Sequence, residues 1–111
     1  MLDRVAGQLE RYLDLLSARQ KLVASNIANA DTPGYHTQDI DFQREFLSAT
    51  GSSSQVVEPS DLKLKNDGNN VSLDRESRLL AENALRFQLA SQLMKMQIQT
   101  VRSAIQEGKS S

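Results

Sequence analysis

The side chains that could do chemistry are few and sit close together: Asp31, His36, Asp39 and Asp41. A histidine among carboxylates is raw material for a divalent-metal site or an acid–base pair. Metal sites, however, want convergent ligands whose outer atoms are themselves held by hydrogen bonds. Here the one histidine falls in a loop, and the aspartates stand where turns and helix caps want them. Any Ser/His/Asp triad would have to be built on that same His36. There is no glycine-rich phosphate loop and no basic stripe interleaved with aromatics. The absence of cysteine excludes disulfides, thiolate chemistry and Cys-based zinc sites. Asn26 and Asn29 could act as active-site amides, but near a helix end they serve more simply to satisfy orphan carbonyls and permit close packing. The expectation is therefore a non-enzymatic chain with no cofactor, no metal and no small-molecule substrate.

Composition narrows the rest. At 111 residues the chain has room for one domain. A net charge of −1 offers no electrostatic case for nucleic acid. With two Tyr, three Phe and no Trp, a core must rest on aliphatic residues from helices. No run approaches the ~20 apolar residues of a membrane span. Asp3, Arg4, Glu10, Arg11, Asp14 and Arg19 near the start argue against a cleavable signal peptide.

The strongest element signal lies near the C-terminus, where no Pro or Gly interrupts residues 72–107. Leu80, Ala84, Phe87, Ser91, Met94, Ile98, Val101 and Ile105 recur at the spacing of one helical face. Leu85, Leu89, Leu93, Met96 and Thr100 form a second row, expected beside the first, giving a face too wide for one coiled-coil partner. Ser72 is a good N-cap and Gly108 a stop, so the helix is expected over 72–108. Met94 and Met96 suit adaptable packing.

A second helix is expected over 1–31. Leu2, Leu9, Leu16, Val23 and Ala30 fall seven apart, with Val5, Tyr12 and Ile27 between them and Arg19–Gln20 as a polar break. Arg4, Gln8, Arg11, Arg19 and Lys21 are assigned to the opposite surface. Thr32-Pro33-Gly34-Tyr35 then reads as a type II turn, and Pro33 stops the helix by Asp31. Within residues 32–71, Asp41 is expected to cap a short helix from Phe42 to Ala49. Val56-Val57 and Leu62–Lys65 are strand candidates, Asp67-Gly68 is a hairpin turn, and residues 48–61 have a flexible composition.

Two of these blocks carry a resemblance. Ala24-Ser25-Asn26-Ile27-Ala28-Asn29-Ala30-Asp31-Thr32-Pro33-Gly34-Tyr35 resembles the N-terminal signature of bacterial flagellar rod and hook proteins. Asp39-Ile40-Asp41-Phe42, Asp67-Gly68-Asn69-Asn70-Val71-Ser72-Leu73-Asp74-Arg75-Glu76 and Leu80-Ala81-Glu82-Asn83 draw it toward the proximal rod. His36 departs from the Lys or Arg usual after Gly-Tyr, both ends and the centre are short, and residues 46–66 carry no distinctive match.

The resemblance implies a mainly α fold, an antiparallel coiled-coil-like pair of terminal helices joined by a short irregular or hairpin segment, assembling into a helical tube. It implies a structural subunit of the periplasmic drive shaft in the flagellar basal body, exported by the flagellar type III apparatus without a cleaved signal. The implied partners are itself and other rod subunits, the adaptor protein at the rod base, and the membrane ring or export gate. Gln88, Gln92, Lys95, Gln97, Gln99 and Arg102 would face subunit junctions or the export channel. Competing readings are a rod subunit at another level, a free helical adaptor or export chaperone that dimerises through the heptads, and a small enzyme using His36. The residues expected to pack in assembly are Leu2, Val5, Leu9, Tyr12, Leu16, Val23 and Ile27 on the first helix. On the second they are Leu80, Ala84, Phe87, Leu89, Leu93, Met94, Ile98, Val101 and Ile105. Ser25, Asn26, Asn29, Asp31, Thr32, Pro33, Gly34 and Tyr35 form the corner.

Overall fold

The computed structural model describes residues 2–48 and 55–110, with the side chains of Leu2, Asp3 and Ser110 outside that description. Its elements are α1 (Leu2–Ala28), β1 (Asp39–Ile40), α2 (Phe42–Leu47), β2 (Val56–Val57) and α3 (Leu73–Ser110). The molecule is elongated, 71 × 26 × 17 Å. The two long helices run antiparallel: Asn26 bonds Glu76, Asn83 Nδ2 donates to Leu16 O (3.4 Å), and Val5 shares a groove with Leu93. This is the helical pair expected from the two periodicities.

The core is thin. Leu15, Leu16, Val23 and Ala30 bury from the first helix and its turn, Leu79 and Ala90 from α3, and Ile40 and Val71 from the connection. Leu16, Val23 and Ala30 follow the heptad spacing; Leu15 joins them unforeseen.

On α3 the buried residues facing α1 are Glu76, Leu79, Asn83 and Ala90, and none of these four comes from either apolar row. The rows occupy its two flanks. Leu80, Ala84 and Phe87 line one groove with Leu16 and Gln20, whereas Leu89 and Leu93 line another with Val5, Leu9 and Tyr12. The second row is therefore not beside the first, because at about 100° per residue Leu89 stands ~200° around from Phe87. A count of apolar residues sees two rows; only the helical angle separates them.

Arg19 also departs from expectation. Placed on the outer surface by the heptad pattern, it turns inward to Asp39, with Nε and Nη2 each 3.0 Å from a carboxylate oxygen. A charge at a polar break can be buried once a partner of opposite sign is brought to it. Arg11 is likewise drawn in, donating to Glu45 O at 3.1 Å.

In the connection, Asp41 caps α2 by accepting from Arg44 N (3.2 Å). Tyr12 meets Phe42 and Phe46 edge-on, with ring centroids 5.2 and 5.6 Å apart. The helix ends at Leu47, and the expected last residue, Ala49, lies outside the described residues. Val56–Val57 is a strand, paired antiparallel with Asp39–Ile40. Leu62–Lys65 is not: among the described residues, Lys65 is the one member of that stretch whose N–H finds a backbone partner, Asn69 O at 2.8 Å. That bond closes the turn at Asp67-Gly68, where Gly68 has φ +83°. Within 48–61, residues 49–54 lie outside the description, while Gln55 N is tied to Glu45 Oε1 (3.1 Å).

α3 begins as expected, with Ser72 Oγ accepting from Arg75 N (3.2 Å). It runs through Gly108 rather than stopping there. A glycine ends a helix where the chain must turn, and here α3 continues in helical geometry.

The Thr32–Tyr35 turn has the expected form: Tyr35 N donates to Thr32 O (3.2 Å) and Gly34 has φ +76°. Gly34→Val should destabilise the fold by about 1–3 kcal/mol, because a β-branched residue resists positive φ. Circular dichroism during urea unfolding would read the loss; an unchanged midpoint would refute this account of the turn.

Candidate assembly interface

Where α1 ends, the chain must dispose of orphan carbonyls while turning back toward α3. Asn69 does most of this. Its side chain is fully buried, and Nδ2 donates to Asn29 O (2.9 Å) and Thr32 O (2.8 Å) while Oδ1 accepts from Val71 N (2.8 Å). Lys65 Nζ takes Ala30 O at 3.3 Å. Asn29 Nδ2 donates back to Ser25 O (2.8 Å), and Thr32 Oγ1 donates to Asn29 Oδ1 (3.0 Å). Gly34 N donates to Asp67 O (2.9 Å), and the two turns touch: a Cβ on Gly68 would lie 3.4 Å from Gly34 Cα. The Asp67–Val71 stretch is thus the counterpart that completes the helix-end motif some forty residues earlier.

Asn26 ties this corner to α3. Fully buried, it donates through Nδ2 to Gln38 O (2.8 Å) and to Glu76 Oε1, and accepts at Oδ1 from Gln38 N (3.0 Å) and Tyr35 Oη (3.1 Å). Ser25 Oγ lies 3.1 Å from the same tyrosine oxygen. Asn70 fastens the loop alongside, its Oδ1 accepting from Thr37 N (2.6 Å) and Thr37 Oγ1 (2.9 Å).

Beside Asn26 lies a charge cluster of Arg19, Asp39, Arg75 and Glu76. Arg75 bridges the acids, Nη2 at 2.6 Å from Asp39 Oδ2 and Nη1 at 3.1 Å from Glu76 Oε2. Two cations and two carboxylates balance, as buried charges require. Burial pushes the Glu76 carboxyl above its ordinary value, opposed by the Asn26 hydrogen bond and the Arg75 charge and reinforced by nearby Asp39.

The sequence candidates for metal or acid–base chemistry are dispersed. Asp39 belongs to this cluster, Asp41 caps α2, and Asp31 is exposed at the turn. His36 Nδ1 sits 2.8 Å from Glu58 Oε1, which also accepts from Asn70 Nδ2 at 2.9 Å. Among the described residues no three potential ligands converge.

The expected packing residues divide. Leu16 and Val23 are buried in the intramolecular seam; Leu9, Tyr12, Ile27 and Met94 are half-buried; Leu2 has no described side chain. Phe87 (45 % exposed), Leu89 (58 %), Leu93 (44 %), Ile98 (47 %) and Ile105 (53 %) are open, as are Val5, Leu80, Ala84 and Val101. Sequence reasoning missed the roles of Asn69, Asn70, Arg75 and Glu76, although all lie in the second block that carried the resemblance. Asn-rich loops before a capped helix were the available signal.

An elongated helical pair with a polar, hydrogen-bonded corner and two open apolar flanks defines a structural class of protein, one whose helices offer surface to neighbours. A family profile described as flagella basal body rod protein matches residues 13–36. The flagellar basal body rod protein FlgB of Yersinia enterocolitica is 35 % identical, with 97 % of this chain and 100 % of that protein covered. The FlgB of Escherichia coli is 32 % identical over 97 % of this chain and 99 % of its own length, and that of Bacillus subtilis 28 % over 91 % and 92 %. The chain belongs to the flagella basal body rod protein family. It is a structural, non-enzymatic component of the bacterial flagellum. The alignment with the Yersinia protein spans 137 positions against this chain's 111 residues, so that relative carries residues this chain lacks.

Two outcomes test the corner. Asn26→Ala strips partners from Gln38, Tyr35 and Glu76 and should cost about 2–4 kcal/mol in urea unfolding, since each buried orphan costs about 1–3. A loss below about 0.5 kcal/mol, as at an ordinary surface site, would refute the tie. Because the folded state holds the Glu76 proton more tightly than the unfolded chain, this group's stabilisation is full at acid pH and is lost as pH rises through the raised value. Glu76→Gln removes that slope, so unfolding measured from about pH 4 to pH 8 should show the variant gaining on the parent as pH rises. A constant difference would refute the shift.

Proposed function

We propose that the chain is a subunit of the proximal rod, the part of the flagellar drive shaft that joins the membrane-ring and export-gate end to the rest of the rod. The observation that carries this reading is the pair of open apolar flanks on α3, one on each side of its seam with α1. Small chains bury too little surface to be strongly stable alone. Here the longest helix spends its seam on Glu76, Asn83 and a few aliphatic residues and leaves most of its large apolar side chains in water. Neighbours on both flanks would cover them, and a contact between unlike surfaces that does not close builds a helical array.

Other rod subunits are the partners this reading places on the flanks. The adaptor protein at the rod base and the membrane ring or export gate are the partners of its lower end. Passage through the flagellar type III apparatus is the export route that goes with this reading. Among the described residues no helix is long and apolar enough to cross a membrane. Gln88, Gln92 and Arg102, with their polar neighbours, are assigned to subunit junctions or the channel wall.

Phe87→Asp and Ile98→Asp test the flanks. Both side chains are half exposed in the single chain, so its helix content should hold while rods fail to form and motility is lost. Swimming assays and electron microscopy of basal bodies would read this. Normal rods built from either variant would refute the packing role of that flank.

A further inference from the structure

We infer that His36, Glu58 and Asn70 form a proton-sensitive latch that fastens residues 55–61 beside β1 and loosens as pH rises. The inference goes beyond the structural reading above and stands without it. Residues 55–61 form a strap with little apolar grip. Val56 is 50 % exposed, Val57 and Pro59 are half-buried, and the other members lie open to solvent. Pairing with β1 spans two residues, Asp39 against Val57 and Ile40 against Val56. A ladder that short is marginal by itself. Polar ties therefore carry much of the hold. At the start of the strap, Gln55 N donates to Glu45 Oε1 (3.1 Å). Just past the strand, Glu58 Oε1 meets both His36 Nδ1 (2.8 Å) and Asn70 Nδ2 (2.9 Å).

That one oxygen joins three stretches of chain. His36 follows the turn after α1, and Asn70 precedes α3, where its Oδ1 accepts from Thr37 N (2.6 Å) and Thr37 Oγ1 (2.9 Å). A carboxamide is neutral at every pH, so of the two donors only the histidine can change its charge. Imidazole makes that change between pH 5 and 8. Protonated, it presents Nδ1–H as a charged donor, and such bonds are roughly twice as strong as neutral ones. Deprotonated, it keeps a hydrogen on Nδ1 in only one of two tautomers. The surrounding charges are Asp39, held by Arg19 and Arg75, Lys65, whose Nζ donates to Ala30 O, and Asp67, whose Oδ1 accepts from Asn69 N. Asp31, Asp61 and Lys63 stand exposed on the turns nearby. Release of the latch frees Asn70 Nδ2 and leaves β1 paired through its two-residue ladder alone.

Amide hydrogen exchange of the full chain, resolved by NMR and corrected for the intrinsic pH dependence of exchange, tests the latch. From pH 5.5 to pH 8 the amides of residues 55–58 should lose about two- to fivefold in protection relative to Val23 and Leu79, the effect expected of a half-exposed ion pair. Because Glu76 changes the stability of the whole fold with pH, each variant is compared with the parent at the same pH. His36→Lys keeps a cation in place and should hold the strap's protection high at both values. His36→Gln and Glu58→Gln should hold it low at both.

Strap protection in the parent that follows the seam at every pH would overturn the inference. So would a His36→Gln chain that keeps the parent's pH dependence, because another group would then carry it. A His36→Lys chain as loose as His36→Gln would do the same. Should a glutamine variant lose helix by circular dichroism, the comparison of parent with His36→Lys at pH 8 decides alone, and equal protection there overturns the latch.

Discussion

One carboxamide holds the molecule together at its narrowest point. Asn26 projects from the last turns of α1, grips both backbone groups of Gln38 and reaches across to Glu76 on α3. A carboxamide offers two donor hydrogens and two acceptor lone pairs. Here donor and acceptor each serve two partners in full burial, so neither backbone group of Gln38 is left without a match. The exit path of the chain, the register of the two long helices and the place of the Arg75–Glu76 pair all follow from where that one side chain points. The aliphatic core contributes burial, but Leu16, Val23 and Leu79 would tolerate a sliding helix pair far better than a saturated amide does.

The corner and the flanks divide the labour between polar and apolar chemistry. Hydrogen bonds are directional and specify a single geometry; apolar contact is non-directional and scales with area. The chain spends its directional groups within itself, at Asn26, Asn69, Asn70 and the Arg19–Asp39–Arg75–Glu76 cluster, and leaves much of its apolar area outside. A subunit arranged this way brings a defined shape to an assembly and takes much of its stabilisation from the assembly in return.

Helix existence, the type II turn and the caps at Asp41 and Ser72 were legible in the residues, because each depends on chemistry within a few positions. Pro33 and Gly34 dictate their own backbone angles; Ser72 needs only the amide three residues on. Less legible was anything requiring two distant residues to meet. Arg19 reads as a surface charge until Asp39 is brought beneath it. Leu62–Lys65 has strand-like alternation yet forms no strand, while Asp39–Ile40 becomes one because Val56–Val57 lies alongside. Gly108 carries a stop signal that α3 passes through.

The apolar periodicity of both terminal segments and the punctuation at Thr32–Tyr35 determined a two-helix chain with a sharp corner, because local backbone preference and helical spacing are properties of neighbouring residues. The rod family came from the resemblance of the two motif blocks and not from those preferences. Tertiary structure decided which face of α3 meets α1. It placed a polar and small-residue seam of Glu76, Asn83 and Ala90 there and split the leucine-rich surface into two flanks. The reason is the buried corner: once Asn26 and Glu76 are joined, the rotation of α3 about its own axis is set, and the larger apolar side chains are turned outward on either side.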